Sequence, residues 1–206
     1  MLDYPVHFSV QAPARFTRLQ LAVRVVAFIA VGALGVSCGA VFLFAYLALP
    51  AFAASRLASG RDPDIYVRED GPRIVAGLKW LAAISAWAGL VVEKLPVKSP
   101  SETLTLAVSA DAHPTAKSAL LRVLFGLPSA LVLGLLCWLG AFVWLWAAVT
   151  VLFTERVGAS THHYLVGLQR WGMRLLVYQA SLVDEYPPYS FGDSPPKVFA
   201  SHFTAS

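Results

Sequence analysis

Two arginines and a tyrosine near the end of the chain have the spacing of one helix face. Arg170 and Arg174 are four residues apart, and Tyr178 follows after the same interval, so a helix projects all three in nearly the same direction. Two guanidinium groups on one face can hold an anionic group, or can reach from an apolar segment to lipid phosphates. We therefore predict that these residues contact lipid headgroups or a partner.

A second set of residues places opposite charges near helix ends. Arg24 lies near the start of one long apolar segment and Glu93 near the end of the next, and Arg122 and Asp184 have the same relation later in the chain. Charges within apolar segments are costly unless they are paired. The sequence predicts two salt bridges, Arg24 with Glu93 and Arg122 with Asp184, that tie helices together.

No motif in the sequence points to catalysis. The chain has no phosphate-cradling glycine loop, no nucleophile elbow and no His-Glu-x-x-His pattern. His162 and His163 are adjacent and lack the additional donors at suitable spacing that a metal site needs. Cys38 and Cys137 lie within apolar runs, where a free thiol behaves as a small hydrophobic group. We expect no enzymatic activity, no metal and no cofactor.

Long apolar segments must position these groups. The run 119–153 carries no charge between Arg122 and Glu155, and about 20 apolar residues suffice to cross a hydrocarbon core of roughly 30 Å. Further apolar segments cover residues 19–57, 74–92 and 164–183. The pattern predicts an all-α membrane protein with four transmembrane helices.

The composition agrees with a membrane location. The mean hydropathy is +0.63, and 14% of the residues are charged, against about 25% in a typical soluble domain. The formal charge is +4, but the charges lie in loops and at the ends of apolar segments. That placement indicates contact with a lipid bilayer and gives no indication of nucleic-acid binding.

The order of the segments occurs twice, which indicates an internal duplication. One constant offset relates Val6, Phe8, Val10 and Arg24 to Leu104, Leu106, Val108 and Arg122. After a longer loop in the first half, a second offset relates Lys79, Trp80, Trp87, Glu93 and Pro96 to Arg170, Trp171, Tyr178, Asp184 and Pro187. The apolar residues at alternate positions in 6–10 and 104–108 predict one short strand in each half.

We therefore predict two parallel strand-helix-helix repeats, 1–97 and 98–188, and an extended tail, 189–206. Two spans per repeat bring both repeats into the membrane from one side, about an axis near the membrane normal. The strands would form a small surface β element on that side, near Arg15, with Arg156 on the opposite side. Lys and Arg are equally numerous on the two predicted faces, so the orientation is undetermined.

Three glycines have the spacing of a helix-packing motif. Gly35 and Gly39 form a small-xxx-small pair, and Gly32 lies one turn earlier. Small residues at this spacing allow a second helix to approach closely. The sequence leaves open whether that helix belongs to this chain or to a partner.

The last apolar segment carries a family resemblance. Its motif residues are Arg170, Trp171, Arg174, Tyr178, Asp184, Tyr186, Pro187 and Pro188. With Tyr4-Pro5-Val6 at the start, it resembles the bacterial membrane family known as domain of unknown function 4389. The first half looks like a degenerate copy, with Ala83 in the place of Arg174. The resemblance implies tandem copies of a strand and two helices, and no activity.

These observations favour a non-catalytic protein of the bacterial inner (plasma) membrane that crosses it several times. We expect it to act as an accessory or structural subunit, and its partners to be membrane lipid and other membrane subunits or copies of itself. The alternative is a lipid-binding or transport module that uses the interface between the repeats and holds an anionic headgroup with Arg170 and Arg174.

Overall fold

The computed structural model describes residues 4–34 and 37–192, and these are mostly helical. The elements are β1 (Val6–Val10), α1 (Arg18–Ala33), α2 (Cys38–Ala58), the single turn α3 (Pro63–Ile65), α4 (Gly71–Ala88), β2 (Leu104–Val108), α5 (Ala116–Thr154) and α6 (Ala159–Gln179). A π-helical turn, Tyr66–Asp70, joins α3 to α4, and a 3-10 turn, Pro100–Glu102, precedes β2. Gly35 and residues 193–206 lie outside the described residues.

The two predicted strands pair as a small sheet, which confirms the predicted β element. They are antiparallel, and Phe8 lies opposite Leu106 at the centre of the ladder. Both of these side chains are buried, whereas Thr105 on the other face is exposed. Strands with one apolar face need a covering layer, and here β1 packs on α6 and β2 packs on α4.

Helix α6 forms the centre of the molecule. It packs along α5, α2 and α4, and β1 lies against it. From Leu165 to Gln179 nearly every side chain is buried. The sheet therefore lies on one side of α4 and α6, and the long helices α2 and α5 lie on the other side of α6.

Local capping decides where the long helices begin and break. The Thr115 hydroxyl accepts a hydrogen bond from the amide of Ser118 in a reciprocal capping box that starts α5. The Ser37 hydroxyl caps α2 in the same way by accepting from the amide of Ala40. The predicted continuous segment 19–57 is therefore two helices, α1 and α2, whereas α5 continues through Pro128 for 39 residues.

Two described helices, not four, are long and apolar enough to cross a membrane. They are α2 and α5, and only 22% of the most apolar part of each is buried in the protein. The core helix of a soluble protein would be mostly covered. The prediction of four spans is not supported, because α6 carries Arg170 and Arg174 and is enclosed by the protein itself.

The helix directions also differ from the predicted topology. Arg15 forms a salt bridge with Glu155, and the amide of Phe16 donates to the Glu155 carbonyl at 2.9 Å. The predicted spans would place these two segments on opposite membrane faces. Farther along, Tyr46 of α2 donates its hydroxyl proton to the carbonyl of Val123 in α5 at 2.6 Å. The first long segment thus runs antiparallel to α5.

Candidate functional site

The pair Arg122 and Asp184 lies in contact, at the junction of α5 with the end of α6. The Arg122 guanidinium forms a salt bridge with the Asp184 carboxylate. It also donates to the carbonyls of Tyr178, at 3.1 Å, and of Val183. The guanidinium lies 4.7 Å from the centre of the Tyr178 ring, a cation–π distance. Arg122 therefore closes the end of the α5–α6 hairpin.

Arg24 occupies the corresponding place but binds differently. Its Nη2 donates to the carbonyls of Val92 at 2.5 Å and Glu93 at 2.7 Å. The Glu93 carboxylate accepts instead from the amide of Thr17 at 3.0 Å and from its hydroxyl at 2.8 Å. The predicted Arg24–Glu93 salt bridge is thus replaced by a guanidinium–carbonyl contact, and Glu93 secures the start of α1. The Nε and Nη1 atoms of Arg24 are buried without a hydrogen-bond partner.

Arg170 and Arg174, which were predicted to contact lipid headgroups or a partner, are buried within the chain. Arg170 donates to the Phe8 carbonyl of β1 at 3.0 Å. Arg174 donates to the carbonyls of Ser190 at 3.3 Å and Gly192 at 3.0 Å. Charged donors on backbone carbonyls form strong hydrogen bonds. These arginines therefore fasten β1 and the segment after α6 onto α6.

Tyr178, the third member of the predicted headgroup site, is also buried. Its ring lies under Arg122 and beside Tyr186, with ring centres 5.7 Å apart. The structure thus places Tyr178 with Arg122, at the end of the hairpin, and gives it a packing role.

The segment 186–192 packs on α6, a role that the sequence did not predict. Arg170 donates to the carbonyl of Phe191, and the Phe191 ring lies against Gly167, where an added Cβ would meet it at 2.6 Å. The Trp171 and Tyr189 rings meet edge to face at 5.4 Å. The sequence did contain one relevant signal, a pair of arginines close to a glycine on one helix. Buried guanidinium groups require hydrogen-bond acceptors, so such a pair indicates that another chain segment lies against the helix.

A charge cluster in the loop before α4 was also missed. The Asp70 carboxylate accepts from Arg56 at 2.9 Å and lies 3.3 Å from Arg61. Asp70 itself is buried. The hydrogen bond from Arg56 lowers the pKa of the Asp70 carboxyl below its usual value. This cluster fixes the end of α2 to the start of α4.

Gly32 and Gly39, the two described members of the predicted glycine set, make no close contact with another helix of this chain. A Cβ added at Gly32 would meet nothing within 4 Å, and one at Gly39 would meet only the Ser37 hydroxyl, at 3.9 Å. These two glycines flank the break between α1 and α2. In α5, by contrast, a Cβ at Gly140 would lie 2.8 Å from Leu168, and one at Gly126 would lie 2.8 Å from the Tyr46 hydroxyl. The intimate helix contacts are therefore made by α5.

The histidines and cysteines discussed above do not gather into one cluster in the described residues. Within 4–34 and 37–192, no group of three or more histidines, cysteines and carboxylates is placed to hold a metal ion. Cys38 and Cys137 are separate thiols on the outer surfaces of α2 and α5. His162 lies with Nε2 2.9 Å from the Val91 carbonyl. The His162 contact therefore joins the start of α6 to the segment after α4.

Residues 116–190 match the model of a family described as Domain of unknown function (DUF4389). The matched part contains α5, α6 and most of the segment packed on α6, with Arg122, Arg170, Arg174 and Asp184. It supports the family resemblance for this half of the chain and does not extend to the first half. No curated protein and no solved structure matches the chain.

Proposed function

We propose that the chain is a non-catalytic integral protein of the bacterial plasma membrane that serves as an accessory or structural subunit of a larger membrane complex or homo-oligomer. The observation that carries this proposal is the outer surface of α5. Trp138, Phe142 and Trp146 each expose 60% or more of their surface. Exposed apolar surface on this scale is typical of a face that meets a membrane or another protein.

The position of the charges supports a lipid environment for this surface. The long helices carry no Asp, Glu, Lys or Arg between Arg24 and Arg56, or between Arg122 and Glu155. The charges at these four positions are engaged with carbonyls or opposite charges at the helix ends. Hydrocarbon accepts such helices, since their backbone groups are satisfied within the helix.

The internal arginines favour a structural role over the alternative of lipid binding or transport. A module that holds an anionic headgroup needs cationic donors at an accessible surface. Arg170 and Arg174 instead lie inside the protein and donate to backbone carbonyls. No other described feature favours the alternative, so the accessory role is the one we propose.

The proposal includes an internal duplication. Three features support it. In the strand register, Phe8 lies opposite its counterpart Leu106. The backbone is left-handed at Leu90 and at its counterpart Ser181, both with φ 57°, and Arg24 and Arg122 both donate to backbone carbonyls. An antiparallel ladder centred on equivalent residues has local two-fold symmetry. A fragment 99–192 should therefore form a dimer through β2, and a strictly monomeric folded fragment would contradict the duplication.

Native mass spectrometry of the tagged chain, extracted from its own membranes in mild detergent, tests the accessory role. We expect a defined assembly that contains other membrane subunits or several copies of this chain. A monomer that carries one specific lipid would contradict the proposal and favour the alternative.

A further inference from the structure

Contacts between distant chain segments define two opposite ends of the helix bundle. At the Glu155 end, the start of α1 meets the end of α5 through the amide of Phe16 and the carbonyl of Glu155. At the Asp184 end, the amide of His113, just before α5, donates to Asp184 at 3.3 Å. Helix α5 connects the two ends. If it crossed a bilayer from one end to the other, the two ends would lie in different aqueous compartments.

The two strands lie along the bundle, between the same two ends that α5 connects. The Tyr4 hydroxyl donates to the Glu185 carbonyl at 3.3 Å, at the Asp184 end, and twelve residues later Phe16 lies at the Glu155 end. The strand β1 lies between these two points. The strand β2 returns in the antiparallel direction, from Leu104 opposite Val10 towards His113 at the Asp184 end. A bundle that spanned the membrane would therefore carry its two-stranded sheet across the membrane as well.

An open sheet is not a stable structure in hydrocarbon. A two-stranded sheet has two edges, whose unpaired amides and carbonyls would have no water to bind. Thr105 is exposed on the outer face of the sheet, and Ser9 and His7 are half-buried there. Water, and not lipid, is the suitable environment for this face. The sheet therefore argues against any arrangement in which α5 passes from one aqueous compartment to the other.

The exposed apolar surface also exceeds the thickness of a bilayer. With 39 residues, α5 is about 58 Å long, against a hydrocarbon core of roughly 30 Å. Its exposed apolar side chains begin with Leu120 and continue to Phe153. Leu19, at the start of α1, is exposed as well. A spanning helix would place the ends of this surface in water, whereas a helix in the membrane plane keeps all of it in lipid.

Helices α1 and α2 both pack on α5. We propose that the layer formed by these three helices lies in the plane of the membrane and is embedded in a single leaflet. The occupant of its apolar face is then the acyl chains of that leaflet. The sheet lies in water, and both ends of the bundle are on the same side of the membrane. This inference rests on the proposed membrane location and replaces the predicted multi-span topology with a monotopic one.

Site-directed labelling distinguishes the two arrangements. In a C38A/C137A background, Ser59→Cys marks the Asp184 end, Ser160→Cys marks the Glu155 end and Thr105→Cys marks the sheet; all three positions are exposed. Right-side-out and inside-out vesicles are treated with a membrane-impermeant maleimide. We expect all three cysteines to be labelled in the same vesicle type and protected in the other. Labelling of Ser59→Cys and Ser160→Cys from opposite sides would overturn the inference.

A second measurement identifies what covers α5. The purified protein is placed in vesicles whose lipids carry brominated acyl chains, and quenching of tryptophan fluorescence is measured. We expect strong quenching that decreases in W138F and W146F. Unchanged fluorescence would overturn the leaflet as the occupant and would favour a protein partner. If the chain does not sediment with membranes at all, the proposed function fails together with this inference, whereas opposite-side labelling leaves the proposed function intact.

Discussion

The two helical hairpins of the molecule differ in how closely they pack. Helix α6 lies along α5, whereas neither α1 nor α2 lies along α4. The first hairpin is joined chiefly at one end, where Arg24 meets Val92 and the Gln20 side chain accepts from the Trp87 indole at 3.3 Å. We call α5 with α6 the closed hairpin, and α1 and α2 with α4 the open hairpin.

The two hairpins also differ in residue size on their long helices. In the closed hairpin Gly126, Ser129 and Gly140 are buried, and their counterparts at the constant offset are Phe28, Val31 and Phe42. Helices without a solvent-driven attraction associate through small residues that let backbones approach. In the open hairpin, the Phe28 ring meets Trp144 of α5 at 5.4 Å between ring centres, and Phe42 lies beside Gly172 of α6. These bulky side chains therefore pack on α5 and α6.

The largest expected effect comes from the arginines at the hairpin ends. Arg122→Met removes a salt bridge and leaves two buried carbonyls without their donor, so we expect a loss of about 3 kcal/mol of stability. Arg24→Met should cost less, because two of its guanidinium nitrogens already lack partners. Thermal unfolding of both variants in detergent measures the difference. Equal losses would show that the open hairpin depends on its arginine as much as the closed one.

A smaller effect is expected from filling the helix interface. Gly126→Val would displace the hydrogen-bonded side chains of Tyr46 and Gln179, at a cost of about 1–3 kcal/mol. The matched control is Gly134→Val on the same helix, where an added Cβ meets nothing within 4 Å. Denaturant titration should separate the two variants, and equal stability would refute close packing at Gly126.

Two tryptophans at equivalent sequence positions, Trp80 and Trp171, give a third comparison. The Trp171 indole donates to the Ser129 hydroxyl at 2.8 Å in a buried contact, whereas its counterpart Trp80 is 37% exposed. Trp171→Phe should cost about 1 kcal/mol through the lost hydrogen bond, and Trp80→Phe should change stability little. Melting temperatures measured side by side test this, and a larger loss in Trp80→Phe would mean that the open hairpin closes in solution.

The smallest effect concerns Asp70, which lies in the longer loop between α2 and α4 of the open hairpin. Arg56 lowers the pKa of Asp70, so the folded state binds the Asp70 proton less readily than the unfolded chain. The resulting stabilisation is present above pH about 4, the unfolded value, and is lost as the pH falls through the lower folded value. Unfolding measured from pH 5 to pH 2 should show a weaker pH dependence in Asp70→Asn, and an unchanged dependence would exclude the contribution of Asp70.

Local patterns in the sequence predicted the elements better than their arrangement. The apolar run 119–153 corresponds to α5, and the alternation in 6–10 and 104–108 corresponds to the two strands. These features depend on neighbouring residues. The direction of the helices depends on distant contacts, such as Arg15 with Glu155. No local pattern contains that information, so counting apolar runs as spans did not predict the helix directions that the structure shows.

The predicted site was partly recoverable for the same reason. Opposite charges at matching helix ends predicted that Arg122 and Asp184 lie close together, and their side chains form an ion pair in the structure. For Arg170 and Arg174 the spacing predicted that both lie on one helix face, but it did not predict that they are buried. Their acceptors come from β1 and from the segment after α6, and backbone carbonyls leave no mark in a sequence.

The strand pairing has a consequence for biosynthesis. β1 is translated before its ladder partner, residues 104–108, and the Phe8 carbonyl is bound by Arg170, 162 residues later. At about 5–20 residues per second, the emerging strand waits on the order of ten seconds for its second partner. We expect ribosome-bound chains that end before residue 170 to leave β1 sensitive to protease and longer, released chains to protect it, so β1 gains its full set of contacts long after it is synthesised.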